Sequence, residues 1–358
     1  MIRLKDIGKF QELPQMAMHI YNGNIPELEA AIRAGWDIEE GIVLSQYTTL
    51  TPLDLALISE RMDVIKLLVQ HSVNLNVKNN PAFLLAVRYC KEDIVRYIAA
   101  QGAKLDKLNQ VKSGAYSQAY YGNKNNIPLI HELGLDIKQH GGGVLRKAVS
   151  DHDLKTVTYL LDHGVDINYN KSDMVYPYQA TPLTVATRIG NQAMVQFLIE
   201  RGADVTLAEK DGDRPYTIAV SNKNTALADY LKSLEPAEFH DIENKKFELR
   251  KYKLSDELVS FLTGKNLRLE LTQNEYEIRY IDFFTLTDTI EMKIGRQKLL
   301  RLSADIDNYS DLLLMWNPKK KGLIGCYDVE HQTYADLCSF AEFLTQPEIY
   351  LINFLEGT

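Results

Sequence analysis

Cysteine is scarce: Cys90, Cys326 and Cys338 are the only three among 358 residues. An odd, widely spaced set forms neither a disulfide framework nor a zinc pattern, which points to a reducing, cytoplasmic setting. No segment reaches the roughly 18 apolar residues of a membrane span. The opening Met1-Ile2-Arg3-Leu4-Lys5-Asp6 has no apolar run of signal-peptide length. Positive charge is short as well. A formal net charge of −8 argues against a general binder of nucleic acid or anionic membrane, both of which need a basic footprint. The deficit is uneven: residues 1–235 carry 25 basic and 27 acidic side chains, and residues 236–358 carry 15 and 21. Phosphate-binding glycine loops, a nucleophile elbow and H-E-x-x-H are all missing. The expectation is a chain without catalytic residue, metal or cofactor.

What the chain does have is periodicity. Thr51-Pro52-Leu53-Asp54-Leu55-Ala56 and Thr181-Pro182-Leu183-Thr184-Val185-Ala186 each precede an apolar helical pattern and a short turn. Both resemble the ankyrin signature T-P-L-H-x-A. Aligned on the alanine of this motif, seven copies appear, with His19, Ala56, Ala86, Gln118, Ala148, Ala186 and Ala219 at that position. A polar turn residue follows 18 positions later in the six complete copies, at Asp37, Asn74, Lys104, Asp136, Asp166 and Asp204. The copy-to-copy steps are 37, 30, 32, 30, 38 and 33 residues. A constant distance inside each copy fixes the length of a helix pair, so only the connecting loop varies. Each pair is too small to bury its own apolar face and must stack on its neighbours. Gly35, Gly102, Gly134, Gly164 and Gly202 stand just past the second helix, where the chain needs a positive φ to stop. His19 belongs to a capping first copy, and the fourth copy, with Gln118, is assigned on spacing alone.

Ankyrin-type repeats are expected to bind proteins on a concave face lined by the two residues that follow the alanine by two and three positions. Here these include Tyr21, Arg88, Tyr89, Tyr120, Tyr121 and Arg188, and the long loop before the sixth copy adds Tyr176 and Tyr178. Tyrosine and arginine are the residues that most often anchor interfaces.

After residue 235 the period changes. Residues 236–253 are charged and read as a linker or joining segment. Leu254–Leu262 reads as a helix capped by Ser255. Leu267–Leu271, Tyr276–Tyr280 and Ile290–Ile294 alternate with period two, and Leu312–Trp316 is a continuously apolar central strand followed by Leu323–Val329. Ser339 and Glu342 form a capping box that starts a helix at Phe340. The fold expected is an all-α ankyrin solenoid of about seven repeats (13–235) followed by an α+β domain with a mainly antiparallel sheet (254–358).

Three stretches in that domain, Asp311–Trp316, Gly322–His331 and Ser339–Leu344, resemble the SUKH superfamily, with Ser310-Asp311 where the family has Gly-Asp. The resemblance implies a bacterial immunity protein that neutralises a polymorphic toxin, many of which are nucleases. The expected partner is then a co-encoded toxin, bound by occlusion, with Asp305, Asp307 and Asp311 offering an acidic face to its basic cleft. An ankyrin-based regulatory scaffold or host-directed effector is the alternative. Cys326, Asp328, Glu330 and His331 lack the further ligands or orienting group that metal or thiol chemistry needs, and His152 and His163 read as structural. Lys319-Lys320-Lys321 reads as a solvated hairpin tip.

Overall fold

Threonine and proline set where a repeat begins. Thr51 accepts a hydrogen bond from the Asp54 N–H at 3.1 Å, and the Asp54 carboxylate accepts one from the Thr51 N–H. Thr181 and Thr184 repeat this reciprocal box. In both, proline takes the first helical position, where its missing N–H costs nothing. The fourth copy lacks this device. Its Gln118 instead donates to the Ser113 hydroxyl at 2.8 Å and is itself buried.

The computed structural model describes residues 1–320 and 322–357, so Lys321 of the expected lysine tip lies outside the described residues. Two compact units emerge, one of residues 1–147 and 155–166, the other of 148–154 and 167–358.

Along the chain the helices come in pairs. These are α1 (Gln15–Asn22) with α2 (Ile25–Arg33), α3 (Pro52–Ile58) with α4 (Met62–Gln70), α5 (Ala82–Tyr89) with α6 (Glu92–Ala100), and α7 (Ala115–Tyr121) with α8 (Asn126–Glu132). After a single turn, α9 (Ile137–His140), come α10 (Gly142–Ser150) with α11 (Leu154–Asp162), α12 (Pro182–Arg188) with α13 (Gln192–Glu200), and α14 (Pro215–Ser221) with α15 (Thr225–Leu234). Seven pairs match the seven copies. The five turn glycines have φ between 81° and 98°, a left-handed conformation that glycine adopts without penalty. Both long steps also have a cause. A hairpin of β3 (Ile42–Ser45) and β4 (Thr48–Leu50) fills the 37-residue step, and irregular chain over 167–181 fills the 38-residue one. Ahead of the first pair lies a hairpin not anticipated from the sequence, β1 (Ile2–Leu4) and β2 (Gly8–Phe10), antiparallel with Ile2 opposite Phe10. Leu4, Phe10 and Leu13 are buried.

In the second unit, residues 236–253 form a 3-10 turn, α16 (Ile242–Glu248) and a second 3-10 turn. Leu249 and Tyr252 of this segment sit in the core of the C-terminal domain, and the Trp316 indole N–H donates to the Tyr252 carbonyl at 2.8 Å. The helix α17 (Asp256–Leu262) begins at Ser255, whose hydroxyl caps the Leu258 N–H. Two antiparallel sheets follow. One has β5 (Arg268–Glu270), β6 (Tyr280–Phe283) and β9 (Ser303–Ile306) in that order. The other runs β12 (Thr333–Ser339), β11 (Leu323–Asp328), β10 (Leu312–Asn317), β8 (Gln297–Arg301), β7 (Ile290–Ile294). Every residue of β10 is buried, as its apolar run predicts, with strands on both sides. Ser339 and Glu342 cap α18 (Phe340–Thr345), and α19 (Pro347–Glu356) closes the domain. One strand is displaced from its expected place. Tyr276–Tyr280 is mostly irregular, because Asn274 accepts from the Ile278 N–H and folds the chain back with Glu277 at φ 54°. The strand starts only at Tyr280.

Candidate functional site

The last turns of the first helices carry the residues singled out for binding, and the structure separates the two positions. Two residues past the landmark, the side chains of the first five copies are buried or half-buried, while Arg188 of the sixth is exposed. Ile58 and Tyr120 are buried, and Tyr21 and Arg88 are half-buried. Three residues past it, Asn22 and Tyr121 are exposed, Tyr121 to 54%. Tyr120 is therefore corrected from a surface contact to a packing residue. Its ring lies under the Lys124 ammonium at 4.1 Å and meets the Tyr121 ring edge-on.

In the first unit these side chains are already organised. Arg61 lies over the Tyr21 ring, 5.7 Å from its centre, and donates to the Tyr21 carbonyl. Arg88 donates to the Gln118 side chain at 3.1 Å, and its guanidinium stands 5.3 Å from the Tyr89 ring centre. Gly122 follows α7 directly. A Cβ there would collide with the Arg88 carbonyl oxygen, so only glycine lets the third and fourth first helices approach this closely. Asn126 donates to the carbonyls of Val87 and Cys90, satisfying the free end of α5.

The turn of the N-terminal hairpin reaches the same place. Lys5 pairs with Glu60 at 2.7 Å and donates to the Tyr89 carbonyl, while Asp6 pairs with Arg88. Burial, followed by a hydrogen bond to Asp6, pushes the Tyr89 hydroxyl up to about 12. Partial burial works the other way on Asp6, but hydrogen bonds from Tyr89 and Arg88 hold it below the ordinary carboxylate range. Sequence reasoning missed this contact because strands of three residues show no alternation to read.

The second unit holds the remaining residues. Arg188 is paired with the buried Glu209 at 2.6 Å and lies over the Tyr178 ring, which Tyr176 meets edge-on. Burial lifts Glu209 to about 7 against the pull of Arg188. The acidic set is not a free surface. Asp305 on β9 pairs with Lys223 at 2.8 Å, and Lys223 also reaches Asp282 and the Tyr280 hydroxyl. Asp307 is buried, accepting from the Arg279 backbone and guanidinium, which hold it down to about 2. Asp311 alone of the three is exposed.

The cysteine–histidine group does not assemble. Cys326 is buried and its thiol is pushed up by burial and by Asp328, whereas His331 is exposed on the following turn and bonded to Asp328 at 2.8 Å. His163 bonds the Tyr159 carbonyl and His152 bonds Asn191. Among the described residues, no three His, Cys, Asp or Glu side chains are placed to hold a metal ion, and no helix is long and apolar enough to cross a membrane.

Two family models match the chain: "Ankyrin repeats (3 copies)" over residues 145–244 and "Ankyrin repeat" over 50–80. Both spans include a Thr-Pro copy. The chain is 27% identical over 164 residues to the Caenorhabditis elegans ankyrin repeat and KH domain-containing protein mask-1, covering 45% of this chain and 6% of that protein. It is 26% identical over 202 residues to an ankyrin repeat protein of Rickettsia felis, covering 51% and 49%. The chain thus spans about half the length, or less, of these curated relatives. Among solved structures, the human ASB11 ankyrin repeat domain is similar at a TM-score of 0.47 and 16% identity, over 62% of this chain and 98% of that one. The two family models, set on the seven helix pairs, identify ankyrin repeats in this chain, followed by a C-terminal β-rich region.

Proposed function

We propose that the chain works by holding a protein partner on the first-helix ends of its second to fourth repeats. One observation carries this reading. Tyr121, a large aromatic side chain 54% exposed, closes α7 next to the ordered pair Arg88 and Tyr89, and such a cluster of rigid Tyr and Arg groups is the usual anchor of an interface. No step of chemistry is required of such a surface, and catalysis is not part of the proposal. The burial of Cys326, away from the exposed His331, supports that view.

The specific form we favour is immunity, in which a co-encoded toxin is blocked by occlusion. Its support is the C-terminal resemblance, whose quoted residues fall on β10, β11 and α18. The test is survival of cells expressing the toxin from the neighbouring gene, with and without this chain, beside calorimetric affinity for the purified toxin. Protection with a nanomolar-range Kd is expected. Full toxicity at matched expression, or no heat of binding, would falsify immunity while leaving a different protein partner to be sought.

A further inference from the structure

The N-terminal hairpin lies on the face just assigned to a partner, and its tip has the chemistry of a ligand. Its two consecutive charged residues meet separate receptors. The Lys5 ammonium takes Glu60 and the Tyr89 carbonyl, and the Asp6 carboxylate takes Arg88. Arg88 is in turn held by Gln118, so the receptor spans α5 and α7. The tip residue is also an odd choice for its backbone. Lys5 has φ 37°, in the left-handed region where glycine is at ease and lysine is not. The backbone here bears a lysine whose side chain makes two contacts with the face.

Base and tip are held differently. Phe10, opposite Ile2 at the base, and Leu4, opposite Gly8 where the strands enter the turn, are buried and apolar. The tip is held by charge at the rim, with the side chains of Lys5 and Asp6 36% and 47% exposed. Exposed ion pairs contribute little and are screened by salt, so the tip can leave while the base stays. A tethered tip is nevertheless present at high local concentration, and an outside partner meets a face that is only partly free.

We propose that the Lys5-Asp6 turn is an internal ligand of this face, and that the partner displacing it presents a matching turn, one cationic side chain for Glu60 and one carboxylate for Arg88. This rests on the reading that the face binds protein, and it names the chemistry of what is bound.

The experiment keeps the full chain and changes only the tip, Lys5→Ala with Asp6→Ala. The probe is a cyclic peptide carrying residues 3–9, titrated to millimolar concentration and followed by NMR shifts of α5 and α7. The altered chain is expected to bind the peptide at least about tenfold more tightly than the original, because the internal competitor is gone. Adding Arg88→Ala should return binding to the original level. Amide exchange over residues 2–10 should rise severalfold in the altered chain, with α5 unchanged. Equal peptide affinity for both chains, or no shifts with either, overturns the proposal, as does unchanged exchange at the tip. The separate reading of a protein-binding face stands or falls on Tyr121→Ala and the true partner, so the two failures are distinguishable.

Discussion

The first helices of the repeats are put to different uses in the two units. In the first, Arg88 and Tyr89 meet a hairpin tip held at the rim, and Tyr121 is exposed. In the second, the last repeat is fastened to the chain's own sheets. Arg301 of β8 pairs with Asp213 at 3.0 Å, both buried, and donates two further hydrogen bonds to the carbonyls of Ser303 and Ala304. Tyr216 bonds Asp288, and the exposed Lys223 reaches Asp282, Asp305 and Tyr280. The difference teaches that repeat position alone does not make a binding surface. What matters is whether the charges at that position already have buried partners.

The largest expected effect breaks the fastened side. Asp213→Ala leaves Arg301 charged and buried without its counter-ion, and loss of one member of a buried pair costs about 3–5 kcal/mol. Urea unfolding monitored at Trp316 should show it, and a change below about 0.5 kcal/mol would mean the junction contributes no stability. Next comes the pair at the end of α7. Tyr120→Ala empties a buried site and should cost about 3 kcal/mol of stability. Tyr121→Ala should leave melting almost unchanged while weakening partner binding by about 2 kcal/mol, roughly thirtyfold. Reversal of these two outcomes would show that buried and exposed positions have been exchanged.

The smallest effect concerns protons. Glu209 has its carboxyl raised from 4.5 to about 7, by burial first. The folded chain therefore holds a proton that the unfolded chain has lost. This contribution is complete below about pH 4.5 and declines as pH rises through 7. Discounted for the nearby Arg188, the decline is about 1 kcal/mol between pH 5 and 7.5. Asp211, also raised by burial, acts in the same direction. Glu209→Gln should flatten the slope in denaturant titrations at stepped pH; an unchanged slope would assign it elsewhere.

Much of the repeat region was legible because two separate constraints agree in five of the six complete copies: the 18-residue spacing fixes the helix pair, and a turn glycine fixes its end, with Ser72 in the second copy taking the same left-handed turn at φ 65°. What escaped notice depends on contacts between distant segments. The strands β8, β9 and β12 lie in stretches where short alternation is broken by charge, and Tyr276–Tyr280 misled because its alternation is interrupted by a turn that the Asn274 side chain builds. At the site, spacing located the helix ends but could not rank the two positions there. Tyr120 and Ile58 are covered by neighbours that no single repeat reveals. Asp305 and Asp307 were misjudged for a similar reason: Lys223 and Arg279, which neutralise them, are 82 and 28 positions away in the chain.

The bond between Asp213 and Arg301 also bears on how such a chain can lengthen over generations. A repeat duplicated after the seventh copy would part this carboxylate from its arginine, leaving two buried charges stranded. A repeat duplicated upstream, between copies with the constant 18-residue interior, disturbs no such bond, since each unit needs only its nearest neighbours. Growth and loss of copies are therefore expected ahead of the seventh copy, with the rear end inherited as a fixed block.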